Sequence, residues 1–401
     1  MKRLLLATAG CVAFGLPSAA LAGGSSSFIA QIGLETATID QSGATDGEVG
    51  DSTHPLTQQP GGDGGGNVIV ITQTGAGNSI GVVAASAQSG AANIAAIIQA
   101  GTDGSAAIIQ TGDDNGDFAG AVHAIEQKAT AVANAVFLTE SGSLNDFSIS
   151  QEGGAANSAS VFQFGGGDSV SSSQAGDRLT LSVIQNNNLN QAFSVQLGDT
   201  DELSATQTDT GALGNTISNT QIAANDTANV ASQQGFNDSI ANSQFLNDDT
   251  LTVASRDGFR LAIANVQSGP GDTATLSLQS GWADRIANEQ GGSNNILRVT
   301  SQNGVNLTIV SVQDGAGDRA AFIQSGNDNE ASATQTGSGD DAQSTQSGAW
   351  SVALLTQSGA GDQIIGAQAG AHNSVTVAQA TANDMASYSQ TGSGHTLTIR
   401  Q

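Results

Sequence analysis

A glutamine returns every eleven residues toward the end of the chain, and no other sequence feature restricts the fold so strongly. It stands at Gln302, Gln313, Gln324, Gln335, Gln346, Gln357, Gln368, Gln379, Gln390 and Gln401. Most of these open a Gln-x-Gly triplet, with glycines at Gly304, Gly315, Gly326, Gly337, Gly348, Gly359, Gly370 and Gly392; Thr381 holds the glycine place after Gln379. The same beat runs through Gln88, Gln99 and Gln110, then from Gln163 through Gln174, Gln185 and Gln196 to Gln207. Steps of twelve intervene around Gln267, Gln279 and Gln290, from Gln267 to Gln279 and from Gln290 to Gln302, and larger slips occur near Gln73, Gln127 and Gln221. Glu140 occupies one glutamine place. A fixed short period is the mark of a repeat architecture, each unit supporting the next.

The interior of each unit predicts its conformation. Counting back by two from a glutamine selects apolar residues: Phe322 and Ala320 before Gln324, Leu355 and Ala353 before Gln357, Val377 and Val375 before Gln379. Ser, Thr, Ala and charged residues fill the places between. A period of two describes a strand with one buried face. The Gly-rich remainder, such as Ser325-Gly326-Asn327-Asp328, reads as a tight turn in which glycine supplies a positive φ. Eleven residues cannot hold a helical crossover. The prediction is an all-β, amyloid-like β-solenoid with two strands per rung of about 22 residues, rungs stacking at about 4.8 Å. From Gln73 onward there is room for roughly fourteen rungs. Because the glutamines share the parity of the apolar set, their side chains are expected to face inward and form amide ladders along the stack, joined by Asn329 and Asn373. The four prolines agree: Pro17 lies in the leader, Pro55 and Pro60 in a break between repeats, and Pro270 in a turn, none inside a predicted strand.

The chain begins with Met1-Lys2-Arg3, an apolar run from Leu4 to Leu16, and Ala20-Leu21-Ala22, which reads as a signal peptide over residues 1–22. A lipoprotein cysteine at Cys11 is the rival reading, weakened by Thr8 three places before it. Cleavage would remove the only cysteine and two positive charges, taking the formal charge from −26 to −28. Ten basic against 36 acidic residues leave no basic patch, so no nucleic-acid partner is expected. Charged residues make up 11% of the chain, against about 25% in an ordinary globular domain. Residues 23–66 are expected to form an N-terminal segment with two imperfect repeats around Gln31 and Gln41, followed by a linker ending at Gly66; residues 67–401 form the repeat solenoid.

Gln88-Ser89-Gly90-Ala91-Ala92-Asn93 leads across five intervening residues to Gln99; Gln324 to Asn329 leads likewise to Gln335, and Gln368 to Asn373 to Gln379. In these stretches the chain resembles the curlin family, the subunits of bacterial curli amyloid fibres, whose repeat is Ser-x5-Gln-x-Gly-x2-Asn-x5-Gln. The likeness covers most of residues 67–401. It departs in length, in frequent Asp for Asn, and in turns without glycine such as Gln185-Asn186-Asn187-Asn188. The resemblance implies export through a dedicated outer-membrane curli secretion pore, guided by the segment after the signal peptide. It further implies self-assembly at the cell surface into biofilm matrix, with other curlin subunits or a nucleator as partners.

A 22-residue rung aligns Asp318, Asp340, Asp362 and Asp384, opposite Asn329, Ser351, Asn373 and His395. Carboxylates 4.8 Å apart repel by about 1 kcal/mol in water and about 3–4 kcal/mol at an effective dielectric of 20. Two expectations compete. Either the column gates assembly until acid or a divalent cation relieves it, or each carboxylate turns to a backbone N–H beside the turn and stays solvated. His54, His123, His372 and His395 lack metal-ligand spacing and read as surface or turn residues. Without a mature cysteine or a Gly-x-Ser-x-Gly elbow, no enzyme activity and no cofactor is expected. Trp282 and Trp350 fall in turns, packing on neighbours or serving adhesion. The leading function is thus a self-assembling structural subunit. Its predicted final strand, ending at Gln401, reads as a template for another chain. A monomeric surface adhesin is the alternative. Ice binding fails because Thr250-x-Thr252, Thr273-x-Thr275 and Thr396-x-Thr398 do not share a 22-residue spacing. A pectinase-like β-helix would need longer coils.

Overall fold

The computed structural model describes residues 25–31, 35–60, 66–82, 86–115, 124–208, 214–254, 256–277 and 279–401. The predicted signal peptide, most of the glycine run before Gly66, and His123 lie outside the described residues. Every regular element among the described residues is a strand, and these strands pair in parallel. The chain divides into two compact units, up to Thr200 and from Asp201 onward, and each is a β-solenoid with two strands per rung.

In the second unit, one sheet stacks Arg319–Asn327, Asp341–Ala349, Gln363–Ala371 and Met385–Ser393, and the other stacks Glu330–Gln335, Val352–Gln357, Ser374–Gln379 and Thr396–Arg400. Pairing is in register across rungs: Gln324 faces Gln346, which faces Gln368, which faces Gln390. Earlier in this unit the rung is 23 residues, as in Ile240 opposite Ile263 and Ile263 opposite Ile286. The extra residue sits in a strand rather than in a turn. Thr250–Val253 and Arg256–Phe259 are separate segments opposite the continuous Thr227–Phe236, and the pairing of Ile296–Val305 slips between Val299 and Ser301. A bulge lets one strand carry a surplus residue without disturbing the glutamine register on either side.

In the first unit Ser105–Thr111, Ala135–Ser143, Ser158–Gly166 and Thr180–Asn188 stack in one sheet. Ala124–Gln127, Asp146–Gln151, Ser169–Asp177 and Gln191–Asp199 stack in the other. The imperfect repeats of residues 23–66 join the same sheets: Ile29–Gln31 pairs with Leu56–Pro60, and Thr36–Thr45 pairs with Val68–Ala76. Residues from Ser26 onward thus supply rungs of the same stack. Pro60, expected in a break, is the last residue of its strand, opposite Gly90. A terminal position tolerates the missing N–H.

Burial follows the period of two. Ala320, Phe322, Ala331, Ala333, Ala353, Leu355, Val375 and Val377 are buried, and the residues between them face outward. Burying a residue such as Phe322 or Leu355 contributes about 1.5–3 kcal/mol, whereas alanines contribute little, so the thin core leaves much to the hydrogen-bonded columns. Tyr388 lies where a side chain on Gly366 would stand, one rung away, and its hydroxyl reaches Ser344 Oγ at 3.0 Å, two rungs away. The aromatic ring fills the room that the glycine leaves.

Candidate functional site

The repeat's glutamine side chains from Gln302 to Gln390 are buried and, with the exposed Gln401, joined into two files, one on each sheet. In one, Nε2 of Gln302, Gln324, Gln346 and Gln368 donates to Oε1 of the glutamine one rung on, at 3.1, 2.8, 2.9 and 2.9 Å, ending on Gln390. In the other, Gln313, Gln335, Gln357 and Gln379 do the same at 3.0, 3.0, 3.2 and 2.9 Å, ending on Gln401. The second amide hydrogen bonds the backbone: Gln324 donates to Thr308 O at 3.1 Å and Gln335 to Arg319 O at 2.8 Å. Each such amide therefore ties its strand both to the next rung and to the opposite sheet. A buried amide hydrogen left without a partner costs about 1–3 kcal/mol, so the columns enforce register.

A further file was not legible as such in the period-of-two pattern. Asn219, Asn242, Asn265 and Asn288 occupy the inward place two before a glutamine, where apolar residues are expected, and are buried. Nδ2 of Asn242, Asn265 and Asn288 donates back to the Oδ1 one rung earlier, at 2.8, 2.7 and 2.8 Å. The same nitrogens donate to Oε1 of Gln244, Gln267 and Gln290, at 3.0 Å each. The 23-residue recurrence of Asn is the signal that could have revealed it.

Asn329 and Asn373 do not join an amide ladder, contrary to expectation. Asn329 Nδ2 donates to Ser325 O and Gly348 O at 2.9 and 3.2 Å, and Asn373 Nδ2 to Ala369 O and Gly392 O at 3.3 and 3.1 Å. Their Oδ1 atoms accept the backbone N–H of Ser351 and His395 at 3.0 and 3.1 Å. The cause is local: Ser351 and His395 stand one rung away and offer no amide, while the carbonyls of the arc converge on this place.

Some of the turn glycines supply the expected positive φ, and close packing is a further reason for them. Gly326, Gly348, Gly370 and Gly392 do adopt positive φ, but Gly304, Gly315, Gly337 and Gly359 are not in the left-handed region. Most of the column shares close packing: a Cβ on Gly348 would lie 1.9 Å from Gly370 O, and one on Gly337 would lie 1.5 Å from Gly359 O. The left-handed place common to both arcs is four residues after each glutamine, at Gly317, Asp328, Gly339, Trp350, Gly361, His372, Asn383 and Gly394. Gly, Asn and Asp favour it because their local strain is smallest there.

The acidic column is as aligned as expected, and its carboxylates turn to backbone N–H groups, but those of Asp318, Asp340 and Asp362 are buried rather than solvated. Asp318 Oδ1 accepts the N–H of Asp340 at 3.0 Å, Asp340 that of Asp362 at 3.0 Å, and Asp362 that of Asp384 at 2.9 Å. The second oxygens of Asp318 and Asp340 lack a hydrogen-bond partner. They occupy the place from which asparagine donates to the arc. Burial pushes the carboxyls of Asp318 and Asp340 above the ordinary range. The effect extends to earlier rungs, where burial raises Asp226 to about 7, Asp249 to about 8 and Asp272 to about 6. Among the described residues no group of three or more His, Cys, Asp or Glu is arranged to hold a metal ion.

The remaining candidates are peripheral. Trp350 stacks on His372 at 6.1 Å and 10°, and Phe259 meets Trp282 at 5.0 Å and 59°. Both tryptophans stay exposed, Trp282 at 60% and Trp350 at 56%. His54 pairs with Asp51 at 3.3 Å on the surface, and His395 Nε2 lies 3.0 Å from Thr391 O. No family model matches the chain, and no curated protein matches it.

Proposed function

We propose that the chain is a secreted structural subunit that polymerises into curli-like fibres at the cell surface by adding rung upon rung. The observation that carries this reading is the equivalence of the rungs. Glutamine meets glutamine and glycine meets glycine across successive rungs in one register, so a rung of one copy matches a rung of another as well as it matches its own neighbour. Parallel, in-register strands with stacked amides are the bonding pattern of cross-β fibres. The curlin-like spacing supports the same reading and adds export through an outer-membrane pore, with related subunits or a nucleator as partners.

The test uses the mature chain, purified and incubated at neutral pH. Expected are amyloid-dye binding, filaments in the electron microscope, and fibre reflections near about 4.8 Å and about 10 Å. Preformed fibres should abolish the lag. A chain that stays monomeric even when seeded would overturn the proposal in favour of a monomeric adhesin, for which the two exposed tryptophans would be the first residues to substitute.

A further inference from the structure

Within the first unit one glutamine file is interrupted by an acid. Glu140 stands opposite Gln110 on one side and Gln163 on the other. Gln110 Nε2 donates to Glu140 Oε2 at 2.7 Å, so the file reaches Glu140 intact. Beyond it the pattern fails. Elsewhere the amide nitrogen would donate onward, but a carboxylate has no hydrogen to give. Glu140 Oε1 is buried without a partner, and so is Gln163 Oε1, the atom that should accept. Gln163 Nε2 is already occupied by Asp146 O at 3.0 Å and Gln185 Oε1 at 3.1 Å, so it does not turn back to rescue the gap.

We propose that Glu140 is a neutral carboxylic acid whose Oε1–H donates to Gln163 Oε1, making this rung boundary a proton-operated latch. One proton completes the file on both sides, which no rotation of either side chain achieves. The surroundings favour that proton. Ser105–Thr111 and Ser158–Gly166, the strands on either side, carry no charged residue. On the facing strands Asp146 and Glu126 are both acids. The neighbouring turns add Asp113, Asp114 and Asp168, also acids. The basic residue on that side, Lys128, pairs with Glu152 at the surface. Burial, opposed by the Gln110 bond and assisted by Asp146, pushes Glu140 up to about 8.

The folded value therefore lies above the unfolded one. The latch's contribution is fully present below about 4.5, declines as pH rises from there to about 8, and is lost above it. One proton corresponds to about tenfold in the opening equilibrium per pH unit within that window. The test compares the full-length protein with Glu140→Gln, which restores the amide. Backbone hydrogen exchange, corrected for intrinsic rates, should show wild-type protection at Ala135–Ser143 and Ser158–Gly166 falling by up to about tenfold per pH unit relative to Glu140→Gln, then levelling off above about pH 8. An infrared difference spectrum, wild type minus Glu140→Gln, should show a protonated carboxyl band at pH 6 that disappears at pH 9. A carboxylate band at pH 6 would overturn the assignment, because it is read on the folded wild-type chain. Identical pH dependence of protection in the two proteins would overturn the latch even if the band is present.

Discussion

Glycine does two different things in the turns, and a pair of substitutions separates them. A Cβ at Gly348 meets the Gly370 carbonyl oxygen at 1.9 Å, whereas a Cβ at Gly339 meets nothing within 4 Å, although its φ is +68°. Gly348→Ala is therefore expected to cost about 3 kcal/mol or more, since backbone must move. Gly339→Ala should cost only about 1–2 kcal/mol of left-handed strain. Urea unfolding of monomeric protein measures both, and equal losses would show that close packing does not govern the column. Gln346→Leu should be costly for another reason. It strands Gln324 Nε2 and Gln368 Oε1 as well as the Glu330 carbonyl, each buried polar group costing about 1–3 kcal/mol. The place of Gln346 was legible from parity alone. The reason for Gly348 was not, because contact with the next rung involves a backbone atom whose position no residue type records.

At the level of the strand and its arc, the alternation of Asp with Asn has a consequence for pH. The buried carboxyls of Asp226, Asp249 and Asp272 have folded values raised to about 7, 8 and 6, above an ordinary value of 3.8. Their stabilisation is thus present below about 4, and it is lost as pH rises through the interval from about 6 to about 8. Asp249→Asn should flatten the pH profile of unfolding between pH 4 and pH 8 and leave the second unit more stable than wild type at pH 8. A profile that keeps its full slope would show that Asp249 does not titrate there. Strand positions and their inward faces were readable from the period of two. The burial of the acids was not, because the sequence places Asp318 in a Gly-rich turn, where water is the ordinary partner. Nor was the Asn242 file: its inward place reads as apolar until the partners at Asn219 and Asn265 are known.

For the whole molecule, a formal charge of −26 opposes the association of copies that the proposed function requires. Screening length falls from about 30 Å at 0.01 M salt to about 8 Å at 0.15 M. If the chain polymerises as proposed, the lag before fibre formation should therefore shorten over that range, and a salt-independent lag would show that net charge does not limit encounter. The glutamine files add a vector to this picture. From Gln302 to Gln390 and from Gln313 to Gln401, each amide nitrogen points toward the later rung. Aligned amide dipoles add head to tail, as peptide dipoles do along a helix. The stack within this unit therefore offers hydrogens toward one face and oxygens toward the other. Two copies meeting like face to like face would set oxygen against oxygen, as an ionised Glu140 does against Gln163 within the first unit. A fibre built from such stacks must run all its subunits the same way, with chemically unlike tips that grow at different rates.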